Sequence, residues 1–250
     1  MTLPQYPDPR TTALFLDFDG TLVEIAERPE AVELATVTRS AVGTIARHAD
    51  RALAIVTGRD IATIDAFVAP LFLPVAGVHG LSRRDARARV SVLPVERAVL
   101  AQLGKELNLL CVAHPGLIVE EKSGSVALHF RSRPDLQDFC IGAMRDSIAA
   151  LGGGFQMLAG KMVVEAVAEG ASKGAAVCAF MAEAPFAGRT PLFAGDDVTD
   201  EAAFEAVNSL GGISIKVGDG LSCASFRAPT TSAFLEWLAG YARHLERAVL

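Results

Sequence analysis

The chain reads as an α/β protein, a doubly wound parallel sheet with a smaller α+β segment inserted between its two halves. Three observations predict this. Short apolar runs bounded by turn signals recur at 13–16, 52–56, 73–78, 191–194 and 213–217, as strands buried on both faces do. Stretches with apolar residues three or four apart, the mark of amphipathic helices, alternate with those runs. Between them the rhythm changes to helix, strand, strand, repeated once with hairpin-length connections. The core is therefore expected at 1–94 and 172–250, and the inserted α+β cap at 95–171.

The first strand stops at Asp17, and Asp19-Gly20 is a turn signal. Two carboxylates thus sit where a buried strand emerges, the end at which open α/β sheets bind ligands. Leu34, Val37, Ala41 and Ile45 predict a helix over 30–48. The second strand ends at Thr57-Gly58-Arg59, and Ile61, Ile64, Phe67 and Leu71 predict the next helix. The third strand ends at His79-Gly80. Arg83, Arg84, Arg87 and Arg89, interrupted by Asp85, predict a solvated surface loop.

In the insertion, Val99, Leu103, Leu107 and Leu110 trace a helix, and strands over 117–121 and 125–131 flank a turn at Ser123-Gly124. A second helix is expected over 134–151, then strands over 155–158 and 162–167 around Ala159-Gly160. The parallel rhythm then resumes. Ser172 is a suitable N-cap for a helix bearing Val177, Phe180 and Met181. The fourth strand ends at Gly195-Asp196-Asp197. A helix with Phe204 and Val207, a strand over 213–217, an edge strand over 224–228 and a last helix with Phe234, Leu238, Ala242 and Leu245 complete the core.

Composition narrows the function. A formal charge of -6 and the lack of a basic block argue against a nucleic-acid partner. Cys111, Cys140, Cys178 and Cys223 lie far apart without Cys/His metal spacing, so zinc is not expected and buried free thiols are. No apolar run is long enough to span a bilayer, and the N-terminal stretch lacks signal-peptide regions. The expectation is a cytoplasmic, monomeric protein without a membrane partner.

Parallel strands place their carboxyl ends on one edge, so Asp17, Asp19, Thr57, Asp196 and Asp197 can meet. Adjacent carboxylates after a buried strand are costly unless something positive lies among them, and a divalent cation is the natural candidate. Mg²⁺ binds through one or two carboxylates and keeps several waters. Asp17 and Asp196 would supply the carboxylates and Asp19 its main-chain carbonyl, with Asp197 and Asp200 behind them as support. A carboxylate at such a site can attack phosphorus, with Asp19 as acid and base and Thr57 donating to a phosphoryl oxygen. Two lysines, Lys161 and Lys173, compete to hold the transferring group. No nucleotide-binding glycine motif supports a nucleotide reading.

Asp17-Phe18-Asp19-Gly20-Thr21-Leu22 resembles the first motif of the haloacid dehalogenase superfamily of phosphohydrolases. The likeness extends to one family within it, the trehalose-6-phosphate phosphatases. Pro29, Thr57-Gly58-Arg59, His79-Gly80 and Gly195-Asp196-Asp197-Val198-Thr199-Asp200-Glu201 are similar to that family's landmarks in the core. In the insertion, Val119 to Ser125 with His129-Phe130-Arg131, and Gly160 to Glu165, resemble its lid signatures. Glu121 stands where Asp is expected and Phe130 where Tyr is usual. The resemblance selects Lys173 over Lys161 as the phosphoryl-holding lysine. It also implies substrate-binding roles for Gly58, Arg59, His79, Gly80, Glu120, Lys122, Ser125, Lys161 and Glu165. On strands, Glu120 and Lys122 would share a face, as would Lys161, Val163 and Glu165. The activity implied is Mg²⁺-dependent hydrolysis of trehalose 6-phosphate. Another sugar phosphate, a phosphomutase reaction or a non-catalytic binding module are the readings left beside it.

Overall fold

The computed structural model describes residues 2–25, 32–122 and 124–248. The chain divides into two compact units, Met1–Ser91 with Ser172–Leu250, and Val92–Ala171. In the first unit β1 (Thr12–Leu16), α1 (Thr36–His48), β2 (Leu53–Val56), α2 (Ile61–Val68), β3 (Val75–Gly77), β4 (Ser82–Arg84) and β5 (Val90–Val92) come first. Every residue of β1 and β2 is buried, as strands covered on both faces require. The expected helix start at Glu30 lies outside the described residues, as does Pro29. Residues 32–35 are not helical, and α1 begins only at Thr36. Burial explains this: Val32 and Leu34 pack against the core from non-helical backbone, overriding local propensity. Val37 is exposed, and Thr38, Ala41, Val42 and Ile45 form the buried face.

The arginine cluster is a solvated loop only in its second half, where Arg87 and Arg89 are exposed between β4 and β5. Ser82–Arg84 is a strand antiparallel to β3, and it carries Arg84 inside. The Arg84 guanidinium donates to both Asp65 carboxylate oxygens at 2.6 Å and to the Leu73 carbonyl, and stacks on Phe72. Arg83 pairs with Glu183 over the Phe180 ring. Guanidinium groups with planar partners and aromatic faces are readily buried, which a charge count does not reveal.

The second unit comprises α3 (Arg97–Ala113), β6 (Ile118–Lys122), β7 (Ser125–His129), α4 (Gln137–Ala150), β8 (Phe155–Gly160) and β9 (Val163–Ala168). Its antiparallel sheet runs β6-β7-β9-β8. Val126, Leu128, Val164 and Ala166 face the helices' Leu103, Leu107, Cys140 and Met144. Strand alternation then puts Glu120, Lys122, Ser125, Ala127, His129 and Glu165 on the other face. The expected turn at Ala159-Gly160 is displaced. Gly160 pairs with Val163, so the chain reverses at Lys161-Met162, with Met162 in the left-handed region at φ 64. Lys161 is thus an exposed turn residue rather than a strand neighbour of Glu165. Ser123, in the other expected turn, lies outside the described residues.

The first unit resumes with α5 (Lys173–Met181), β10 (Thr190–Gly195), α6 (Glu201–Ser209), β11 (Ile213–Val217), β12 (Phe226–Ala228) and α7 (Thr231–Arg247). The eight-stranded sheet has the order β12-β11-β10-β1-β2-β3-β4-β5, parallel from β12 to β3. Helix α1 packs on α7, and α5 on α6. This is the doubly wound core expected, with an antiparallel extension at one edge. The thiols depart from expectation: Cys140 is buried and Cys111 half-buried, but Cys178 and Cys223 are exposed. Cys178 lies beside the buried Val177 on α5, turned off the covered face, and Cys223 lies in the loop before β12. Among the described residues, no helix is long and apolar enough to cross a membrane.

Candidate active site

The parallel register sets the site. β1 lies between β10 and β2, pairing Leu16 with Ala194 on one side and Ile55 on the other. One or two residues beyond, all three chains leave the sheet, at Asp17, Asp196 and Thr57. Asp17, Asp196 and Asp200 each offer a carboxylate oxygen, and these oxygens lie within 4.8 Å of one another. Gly20 makes the approach possible. Its φ of 77° closes the turn after Asp19, and a Cβ there would collide with the Asp196 carboxylate. Gly195 is needed for a similar reason, since a side chain there would strike Asp200.

Lys173 enters from the start of α5, where Ser172 caps the helix by accepting from the Ala175 amide at 3.0 Å. Its ammonium donates to Asp17 Oδ1 at 2.7 Å and to Asp200 Oδ1 at 2.6 Å. All three side chains are buried. Burial works against the lysine charge, but the two carboxylates outweigh it and hold the Lys173 pKa above its ordinary value. For Asp17 burial dominates and pushes the carboxyl well above the usual range. Lys173 pulls it down, while Asp200 and Asp196 push it further up. A divalent cation among these oxygens would reverse that balance, so the donor set fits a hard metal ion. Thr21 Oγ1 also donates to Asp17 Oδ2, at 3.3 Å.

Asp200 and Asp197 cap one another across the turn leading into α6, the Asp197 amide donating to Asp200 Oδ2 at 2.9 Å. With Lys173 on its other oxygen, Asp200 serves as a brace. Asp19 is engaged too: Arg59 Nε and Nη2 bind its two oxygens, each at 2.7 Å, and the guanidinium lies over Phe18 and Phe67. Arg59, expected at the substrate, is here a clamp on the expected acid and base. Thr57 is fully buried, and its hydroxyl accepts from the Arg59 amide at 3.1 Å, which leaves its hydrogen to be donated elsewhere. His79 is buried against Gly58, where any side chain would meet its ring, and its amide donates to the Thr57 carbonyl at 2.9 Å. Its left-handed φ of 55° and that of Gly80 turn the chain at this point. One residue was missed. Lys216, buried near the end of β11, donates to the Asp196 carbonyl. A lysine between Ile215 and Val217 in an apolar run was the one hint in the sequence, and it does not reveal the partner.

The second unit carries a separate polar cluster. Glu120, Ala127 and Glu165 are in register across three strands, and the small Ala127 leaves room between the acids. Lys122 Nζ binds Glu165 at 3.1 Å and 3.2 Å, Ser125 donates to the same buried carboxylate, and Lys122 is 3.8 Å from Glu120. His129 lies 2.9 Å from Glu120 and holds that carboxyl below its ordinary pKa, against partial burial. Glu121 points to the opposite, helical face, where it crowds Gly104. Lys161 is not part of this cluster.

The trehalose-phosphatase family model matches residues 15–233. A trehalose-6-phosphate phosphatase of Escherichia coli is 37% identical over 241 residues, covering 95% of this chain and 90% of the relative. Among solved structures, a trehalose-6-phosphate phosphatase related protein matches with a TM-score of 0.78 and 26% identity, over 94% of this chain and 99% of that one. A haloacid dehalogenase-like hydrolase from Bacteroides thetaiotaomicron shares the fold, with a TM-score of 0.64 at 14% identity, over 94% and 98% of the two chains. A family match spanning both units, on a haloacid dehalogenase-type core, makes this chain a member of the trehalose-phosphatase family.

Proposed function

We propose that the protein hydrolyses trehalose 6-phosphate to trehalose and inorganic phosphate, with Mg²⁺ as cofactor and Asp17 as nucleophile. The observation that carries this is the convergence of the Asp17, Asp196 and Asp200 oxygens within 4.8 Å, with Lys173 bonded to Asp17. Asp17 and Asp196 would hold the cation together with the Asp19 carbonyl, while Asp197 and Asp200 keep the loop in place. Bound there, Mg²⁺ supplies charge neutralisation for a phosphate ester that otherwise repels nucleophiles.

An Asp17 oxygen attacks phosphorus, and the bond from phosphorus to the sugar oxygen breaks. Asp19 gives its proton to the departing alkoxide. It then takes a proton from the water that attacks the aspartyl-phosphate, releasing phosphate and restoring Asp17. Lys173 and the Thr57 hydroxyl stabilise charge on the phosphoryl oxygens. To act as acid, Asp19 must give up one of its Arg59 bonds, and the arriving phosphate is an anion to which the guanidinium can turn. Arg59 thus tunes Asp19 as well as the substrate. Arg59→Ala should lower kcat about 100-fold, the scale of general acid-base catalysis, and steady-state kinetics checks this. Gly58, His79 and Gly80 form the wall beside Thr57.

Glu120, Lys122, Ser125 and Glu165 form a cluster of charged donors and acceptors suited to vicinal sugar hydroxyls, and the second unit is read as the specificity cap. Lys161, exposed on its turn, has the weakest support as a sugar contact. The test is phosphate release from a panel of sugar phosphates, with Mg²⁺ or EDTA and an Asp17→Asn control. Release from trehalose 6-phosphate above the rest, lost in EDTA, supports the proposal. Preference for another sugar phosphate contradicts the substrate, and release from Asp17→Asn contradicts the mechanism.

A further inference from the structure

Among the described residues, three cations lie among the carboxylates at the carboxyl edge of the core sheet. Lys173 binds Asp17 and Asp200, and Arg59 binds Asp19. The third, Lys216, instead donates to a main-chain oxygen, the carbonyl of Asp196. We infer that Lys216 is a positioning residue, whose ammonium fixes the backbone at Asp196 so that its carboxylate stays beside Asp17 and can share a divalent cation with it. The inference deepens the proposed function and rests on Asp196 being a cation ligand.

Burying an ammonium is costly unless a strong acceptor receives it, and the flanking Ile215 and Val217 show that this strand otherwise takes apolar residues. Lys216 is nevertheless only 4% exposed. The parallel register pairs it with Gly195, the last residue of β10, so its side chain reaches the peptide at which that chain leaves the sheet. Asp196 is then confined at its carboxylate and at its carbonyl. Its carboxylate sits against the bare Cα of Gly20, and its carbonyl is held by Lys216. Without the second constraint the peptide can rotate and carry the carboxylate away from Asp17.

Charge alone predicts the opposite effect. A positive group beside a cation site repels the cation, so removing Lys216 should tighten binding if its charge were its only influence. Removal should weaken binding if the lysine orients Asp196. The two readings differ in sign.

The experiment measures Mg²⁺ affinity by titration calorimetry on the full chain, for wild type, Lys216→Met, Lys216→Gln and Asp196→Asn, with Mg²⁺ activation curves alongside. Lys216→Met should bind Mg²⁺ about tenfold more weakly, the usual scale for a group supporting a metal ligand, and Lys216→Gln, which keeps an N–H donor, should lose less. The Mg²⁺ concentration for half-maximal activity should rise with the dissociation constant, and kcat at saturating Mg²⁺ should approach that of wild type, which a merely structural defect would not allow. Unchanged or tighter binding in Lys216→Met overturns the inference. If that variant does not fold, Lys216→Gln decides, and unchanged or tighter binding there overturns it equally. If wild type and Asp196→Asn bind Mg²⁺ alike, the cation reading of Asp196 fails and this inference falls with it. Weakening by Asp196→Asn alone rejects only the role of Lys216.

Discussion

The two polar clusters are assembled in different ways. In the core, Lys173 meets Asp17 across 156 residues of sequence and Asp200 across 27. In the second unit, Lys122 and Ser125 reach Glu165 across 43 and 40 residues, along strands of one antiparallel sheet. A parallel sheet delivers every strand's carboxyl end to one edge, so distant segments converge there and their charges leave water together. The core trio is almost fully buried, whereas Glu120 in the second cluster is 39% exposed. Each core charge therefore depends on the others, while the second cluster keeps an edge in water. The proposed function places chemistry in the first setting and hydroxyl recognition in the second.

This contrast should appear first in turnover. Asp17→Asn should lower kcat by about 10⁴-fold or more, the scale of losing a nucleophile, with KM changed little. Next comes stability. Lys173→Met strands two buried carboxylates and should cost about 3–5 kcal/mol in denaturant unfolding, whereas Lys122→Met strands one, Glu165, which keeps the Ser125 hydroxyl, and should cost less. Equal losses would break the contrast in burial. Glu165→Gln should raise KM about tenfold, the worth of a charge-assisted hydrogen bond, with kcat within a few-fold of wild type. A collapse of kcat instead would place Glu165 with the chemistry. The smallest effect is with pH. Because folding lowers the Glu120 pKa, its contribution is present above the ordinary value of 4.5 and fades as pH falls through the folded pKa. The difference in Tm between wild type and Glu120→Gln should therefore shrink on acidification.

The same contrast governs what could be read from sequence. Asp17, Asp19, Asp196 and Asp197 stood out because each pair follows an apolar run directly, and a buried strand ending in carboxylates has few bland explanations. Ser172 was legible as a cap from its place before the helix. Lys173 was not separable from Lys161 by residues alone, because a lysine's partners are tertiary. Lys216 was passed over, since a single lysine near a strand end reads as a solvated tip until the register with Gly195 is known. Arg84 was misread because local charge density hides a guanidinium folded back onto Asp65 and Phe72. Antiparallel sheets carry charges on a solvent face as a matter of course, so Glu120, Lys122 and Glu165 gained meaning only through the family resemblance. A reversal placed two residues early was enough to put Lys161 on the wrong element.

The central claim is that Asp17 takes the phosphoryl group. Quenching the enzyme during turnover of trehalose 6-phosphate, reducing with borohydride and sequencing the peptides by mass spectrometry tests it directly. The account predicts a substrate-dependent homoserine at position 17, the reduction product of an aspartyl-phosphate, and none without substrate. A turning-over enzyme that leaves position 17 unreduced, or carries the label at another carboxylate, would contradict it.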